Sequence, residues 1–121
     1  MTTQKVNLIE KFELINEYWQ PRIAGELNGQ QIKIAKLKGE FIWHHHDNED
    51  EFFMVIKGNL KIALPDQEIN LGEGEFFIVP RMVEHKPIAD EEVWVMMFEP
   101  TGTLNTGNIR SELTKEELEN I

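Results

Sequence analysis

All four histidines of this 121-residue chain bear on whether it can hold a metal ion, and three stand in one run, His44-His45-His46. On an extended strand successive side chains alternate faces, so His44 and His46 point one way and His45 the other. Two imidazoles two residues apart on one face can take adjacent positions on a single ion. After a turn rich in Asp and Asn, Glu51 opens an apolar strand, from which its carboxylate can reach back to the same ion. His85 follows a separate strand, Phe76 to Val79, and can complete a shell of three nitrogens and one oxygen. An expression tag or a solvated loop also produces a histidine run. A tag lies at a terminus, however, and this run sits mid-chain beside Phe41, Ile42 and Trp43.

The elements that must position these residues divide into three zones. In residues 1–21, Leu8, Ile9, Phe12, Ile15 and Trp19 recur at roughly helical or mixed spacing before Pro21, which predicts an arm or a short helix packed on the main body. Residues 22–100 read as short strands broken by turns. Leu27-Asn28-Gly29-Gln30 fits a two-residue hairpin, because Asn-Gly supplies the positive φ angles of a type I′ turn, and Gln31 to Lys38 then runs as a strand. Further turn signals fall at Gly39, His46-Asp47-Asn48, Gly58-Asn59, Pro65-Asp66, Gly72-Glu73-Gly74 and Ala89-Asp90. Turns this frequent between Val/Ile/Phe-rich segments indicate an all-β sandwich or barrel. In the tail, 101–121, Thr114-Lys115-Glu116-Glu117 fits a capping box and predicts a short C-terminal helix through Leu118. The whole, 1–121, reads as one domain.

Phe52 to Ile56 and Val93 to Phe98 carry apolar residues on both parities, so both faces of these strands need cover. One face belongs to the interior. The arm or a second subunit must supply the other cover, and a homodimer is the expectation. Composition narrows the partners. A formal charge of −10, from 12 basic and 22 acidic side chains, repels phosphate backbones and anionic lipid, so neither nucleic acid nor membrane is expected. With no cysteine, any metal must be held by nitrogen and oxygen. The N-terminus MTTQKVNLIEKF lacks an apolar leader core, and a cytoplasmic protein is expected.

The stretch from Gly39 through His44, His46 and Glu51 to Gly58 resembles the first motif of the cupin superfamily: Gly, a spacer, His-x-His, three or four residues, Glu, six residues, Gly. The spacer from Gly39 to His44 is four residues, one shorter than usual. The second cupin motif resembles Gly74 to His85, with Pro80 in place but Met82 where Gly is usual and Ala89 where Asn is usual. The resemblance covers about 39–89. It implies a jelly-roll-like barrel in which two β-hairpins deliver His44, His46, Glu51 and His85 to one end of the interior, where they ligate metal. It is nearest to small single-domain cupins of an uncharacterised, sugar-phosphate-isomerase-like group. Glu99-Pro100-Thr101-Gly102-Thr103-Leu104-Asn105-Thr106-Gly107 also resembles that group, and reads as a structural turn.

Three imidazoles and a carboxylate suit one divalent Fe, Mn, Ni, Co or Zn ion, and no soft ligand favours Cu(I). Parity places Phe53 and Val55 on the face of Glu51 and Ile42 on that of His44, either as pocket lining or as plain core. Arg81 and Glu84, beside His85, read as solvated turn residues. The expected function is a metal-dependent enzyme on a small oxygen-rich molecule, of dioxygenase, isomerase or lyase type. The alternative is a non-catalytic module that binds or senses a small molecule or metal.

Overall fold

A computed structural model describes residues 3–121. Its helix α1 spans Leu8–Glu13, and seven strands follow: β1 Arg22–Leu27, β2 Gln30–Glu40, β3 Glu51–Lys57, β4 Leu60–Leu64, β5 Gln67–Leu71, β6 Phe76–Val79 and β7 Lys86–Pro100. All pairings between these strands are antiparallel, as in the jelly-roll-like fold expected, although the sheet does not close. The order runs β1-β2-β7-β3-β6, with β4 on β7 and β5 on β4.

Strand β7 organises the rest. Its first residues, Lys86 to Ile88, pair with β4, and Trp94 to Phe98 pair with β3, while β2 follows both halves. Leu37 faces Val93 but Gly39 faces Ala89, so Asp90-Glu91-Glu92 form an exposed bulge between the two halves. The turn expected at Ala89-Asp90 is therefore corrected: the polar residues there bend one long strand, as bulges do, without ending it. The Asn28-Gly29 hairpin forms as expected, with φ of 50° and 76°.

The core lies between the two half-sheets and contains Ala35, Leu37, Phe53, Val55, Leu60, Ile62, Val79, Val93, Val95 and Met97. The outer face of β2 and β7 is covered by the arm. Asn7 caps α1 by accepting from the Glu10 N–H at 3.1 Å. Phe12 and Ile15 then pack against Ile34 and Trp94, with the Phe12 ring stacked on Trp94 at 4.9 Å. A six-residue helix is too short to persist alone, so this apolar contact holds it. Farther along the same sheet, Phe76 and Ile78 on β6 remain exposed.

The expected C-terminal helix does not form. Thr114 turns its hydroxyl back to Thr106 Oγ1 (2.6 Å) and to the Ser111 N–H (3.0 Å) in place of capping a helix. Asn105 accepts from the Lys115 N–H (2.9 Å) and donates to the Leu113 carbonyl (2.9 Å). Beyond it, the Ile23 N–H donates to the Glu119 carbonyl and the Ile121 N–H to the Ile23 carbonyl, which joins the tail to β1. These contacts satisfy the tail's backbone and compete successfully with a nucleus that fixes several residues per hydrogen bond. Because Phe12 is fully buried, Phe12→Ala should cost about 3–5 kcal/mol in urea unfolding.

Candidate metal centre

Two extended segments bring the histidines together. The His44 N–H donates to the His85 carbonyl (3.0 Å) and the His85 N–H to the His44 carbonyl (2.9 Å). This single bridge replaces the longer strand expected at 44–46, and it retains the parity. His44, His46, Glu51 and His85 are all buried, whereas His45 turns away. There His45 Nδ1 meets Glu84 at 2.9 Å and Nε2 meets Asp47 at 2.8 Å. Both carboxylates, Glu84 foremost, raise the His45 pKa.

One potential ligand atom from each of His44, His46, Glu51 and His85 lies within 4.8 Å of every other. Donors held 2.0–2.2 Å from one ion stand about 2.8–3.6 Å apart when adjacent and up to about 4.4 Å when opposite, so the set is close to the spread that one ion requires. The tautomers also fit. His44 Nδ1–H donates to the Ile42 carbonyl and His85 Nδ1–H to the Val83 carbonyl, each at 2.9 Å, leaving both Nε2 atoms as lone-pair donors. His85 Nε2 and His46 Nε2 each stand 3.3 Å from Glu51 Oε1. Neither nitrogen of His46 has a hydrogen-bonding partner, although the residue is buried. A buried orphan of this kind costs about 1–3 kcal/mol unless something binds it. The set can therefore hold a metal ion.

The charges follow from burial and neighbours. Burial, aided by His85, lowers the His44 pKa to about 4. Burial acts in the same direction on His46, but the Glu51 carboxylate outweighs it and raises the pKa. Glu51 itself titrates well below the usual carboxylate range, because His46 and His85 override its burial.

Beside this cluster lies a cavity of about 40 Å³, enough for two or three water-sized groups. Trp19, Phe41, Leu37, Phe53, Met97 and Leu118 give it an apolar lining, and His44 and Glu51 stand at its polar end. Phe53 thus lines the pocket as parity indicates. Ile42 does not line it; Phe41 does, with its ring edge-on to His44 at 5.4 Å. The chain is not a regular strand there, so strict alternation carried back from His44 picks the wrong neighbour. Trp19 stacks on Phe41 at 4.9 Å, and its Nε1–H donates to the Lys38 carbonyl (2.8 Å). Arg81 is taken up by Asp50 and Glu84 by His45, and neither lines the cavity.

Two further titratable residues, Lys33 and Glu99, line it, as does Asn105. Lys33 Nζ donates to Glu99 Oε1 (2.8 Å) and to the Thr103 carbonyl (3.2 Å), and both side chains are at least 97% buried. Burial and the nearby Glu51 charge push the Glu99 pKa well up, against the opposing pull of Lys33. Parity contains the missed signal: Lys33 shares a face with Ala35 and Leu37, and Glu99 shares one with Met97 and Val95.

The tail closes against the segment that carries His44 to His46. Asn108 accepts from the His45 N–H through its side chain (2.9 Å) and donates to the His45 carbonyl through its own N–H (3.0 Å). Gly107 (φ 56°) sits so close that a Cβ would stand 2.1 Å from the His45 oxygen. Met82, at φ 69° where the motif resemblance expects Gly, is the exposed residue whose N–H donates to the His46 carbonyl at 2.7 Å. Its left-handed backbone explains the usual glycine, and Met bears the strain.

The cupin domain family model matches residues 32–99, and the chain belongs to the cupin family. A cupin-2 domain-containing protein from Shewanella frigidimarina is 47% identical, covering 78% of this chain and 93% of that one, with a TM-score of 0.78. The uncharacterized protein YdbB of Bacillus subtilis is 34% identical over 62 residues, or 50% of this chain; the chain spans 55% of that relative's length. A sugar-phosphate-isomerase-like protein from Acidithiobacillus ferrooxidans, at 18% identity and a TM-score of 0.55 over 64% of this chain and 54% of that one, shares the fold alone.

Gly107→Ala should displace the 44–46 segment. The expected result is a loss of about 2 kcal/mol or more of stability in urea unfolding, together with altered imidazole signals by NMR.

Proposed function

We propose that this cupin is a metal-dependent enzyme acting on a small oxygen-rich molecule, by dioxygenase, isomerase or lyase chemistry. The observation that carries this reading is His46, a buried imidazole whose two nitrogens have no hydrogen-bonding partner and whose Nε2 stands 3.3 Å from Glu51. His44, His46, Glu51 and His85 would hold one Fe, Mn, Ni, Co or Zn ion, which supplies Lewis acidity or a lowered pKa for bound water. The Ile42 and Val83 carbonyls orient two of the imidazoles, and Trp19, Phe41 and Leu118 give the adjoining cavity apolar walls.

A second reading, a non-catalytic binding or sensing module, is favoured by one observation. Among the described residues, the only titratable side chains lining the cavity apart from His44 and Glu51 are Lys33 and Glu99, and these engage each other. Turnover or oxygen uptake across enediols, β-diketones and sugar phosphates, with Fe-, Mn- and Ni-loaded protein, separates the two. Activity with one metal supports the enzyme; tight binding without turnover supports the module.

Metal content tests the site itself. Wild type and His45→Ala should carry one metal per chain by elemental analysis and His46→Ala very little; equal loading of all three would sink the reading. Protons compete with metal at His46, whose pKa is raised above 6.5. Metal affinity should therefore fall about tenfold per pH unit as pH drops through that raised value.

The reading extends to one cupin domain over 1–121, cytoplasmic, working as a homodimer. Support for the dimer is the edge strand β6, where exposed Phe76 and Ile78 adjoin Phe52, whose ring lies 4.9 Å from that of Phe76. Light scattering should give twice the chain mass, and Phe76→Lys with Ile78→Lys should give the monomer.

A further inference from the structure

The Lys33–Glu99 pair lies in the same cavity as His44 and Glu51, on the inner face of otherwise apolar strands. An ion pair this deeply buried is poor evidence of stabilisation, because apolar side chains of similar volume serve a fold as well or better. Its presence beside the candidate metal centre therefore calls for a ligand. Lys33 has three N–H donors, and Glu99 and Thr103 take two.

Charge defines the class of ligand. Resting on the metal reading above, the cavity would gather a divalent ion, the ammonium of Lys33 and the carboxylate of Glu51, with neutral imidazoles as ligands. A net positive charge remains whether Glu99 is ionised or protonated. Inside an apolar lining such an excess is costly unless an anion joins it. The formal −10 of the chain does not replace that anion, since charges on exposed side chains are screened within about 8–10 Å. The cavity, about 40 Å³ with a largely apolar lining, suits a small anion.

We propose that the ligand is a small carboxylate with an adjacent oxygen, of the 2-oxo or 2-hydroxy acid class, which faces the metal and is read by the remaining donor of Lys33. A neutral sugar or polyol would leave the positive charge unmatched.

Pyruvate and its neutral isostere pyruvamide present nearly the same shape, differing in charge. Binding of each to cobalt(II)-loaded protein can be followed by calorimetry and by the visible cobalt bands, neither of which needs turnover. Pyruvate should bind at least about tenfold more tightly, and the preference should shrink toward unity in Lys33→Met. Should Lys33→Met fold poorly with Glu99 unmatched, the double variant Lys33→Met/Glu99→Leu removes the pair together and should give the same loss. Equal binding of the two probes, binding of neither, or a preference unchanged without Lys33 would overturn the proposal. Each of those results, obtained on protein with one cobalt per chain, leaves the metal reading standing. A chain that takes up no cobalt, or takes up as much after His46→Ala, fails the metal reading instead.

Discussion

Burying three imidazoles around one carboxylate is the constraint on which the arrangement of this protein turns. Each polar ring removed from water must find a partner, and the chain supplies them unevenly. His44 and His85 give their Nδ1 protons to carbonyls two residues back in sequence, a local device repeated on two hairpins. His46 has no such carbonyl, and its nitrogens meet only the nearby Glu51 and Glu49 carboxylates, without hydrogen-bonding geometry. The reciprocal backbone bridge between His44 and His85 keeps the cluster compact, and the strands behind it bury the rest.

The long bent strand β7 makes that geometry possible. It pairs with β4 on one side of its bulge and β3 on the other, so the hairpins on both half-sheets share one backbone. His85 immediately precedes this strand and Glu99 nearly ends it, yet both interact with Glu51. The arm acts from outside: Phe12 and Ile15 seal the outer face, and Trp19 crosses to roof the cavity against Phe41.

Much of this was legible in the residues. Alternation separated His45 from His44 and His46, and Asn28-Gly29 announced its hairpin through the positive φ it needs. Glu51 at the head of an apolar strand was readable because an acidic residue there must face something. Where the chain leaves regular structure, the sequence misled: alternation selected Ile42, but the irregular segment presents Phe41. The Thr114 box has the composition of a helix start, yet distant partners, Thr106 and Asn105, claim its groups first. Lys33 and Glu99 lie 66 residues apart, so only the register of β2 against β7 brings them together. Their inward parity was visible; their pairing was not.

The approach of Gly107 to the His45 carbonyl has a consequence for how this chain can vary. Between the end of β7 and Gly107 the backbone has only a few residues in which to leave the sheet, turn, and arrive flush against His45. An inserted residue there would put a different side chain at the contact and carry Asn108 off its paired bonds with His45. The exposed β4–β5 turn at Pro65-Asp66, by contrast, abuts nothing of the kind and can lengthen freely. Variation in length is thus partitioned: one end of the fold is open to remodelling, and the tail over the candidate metal centre is held to a fixed count.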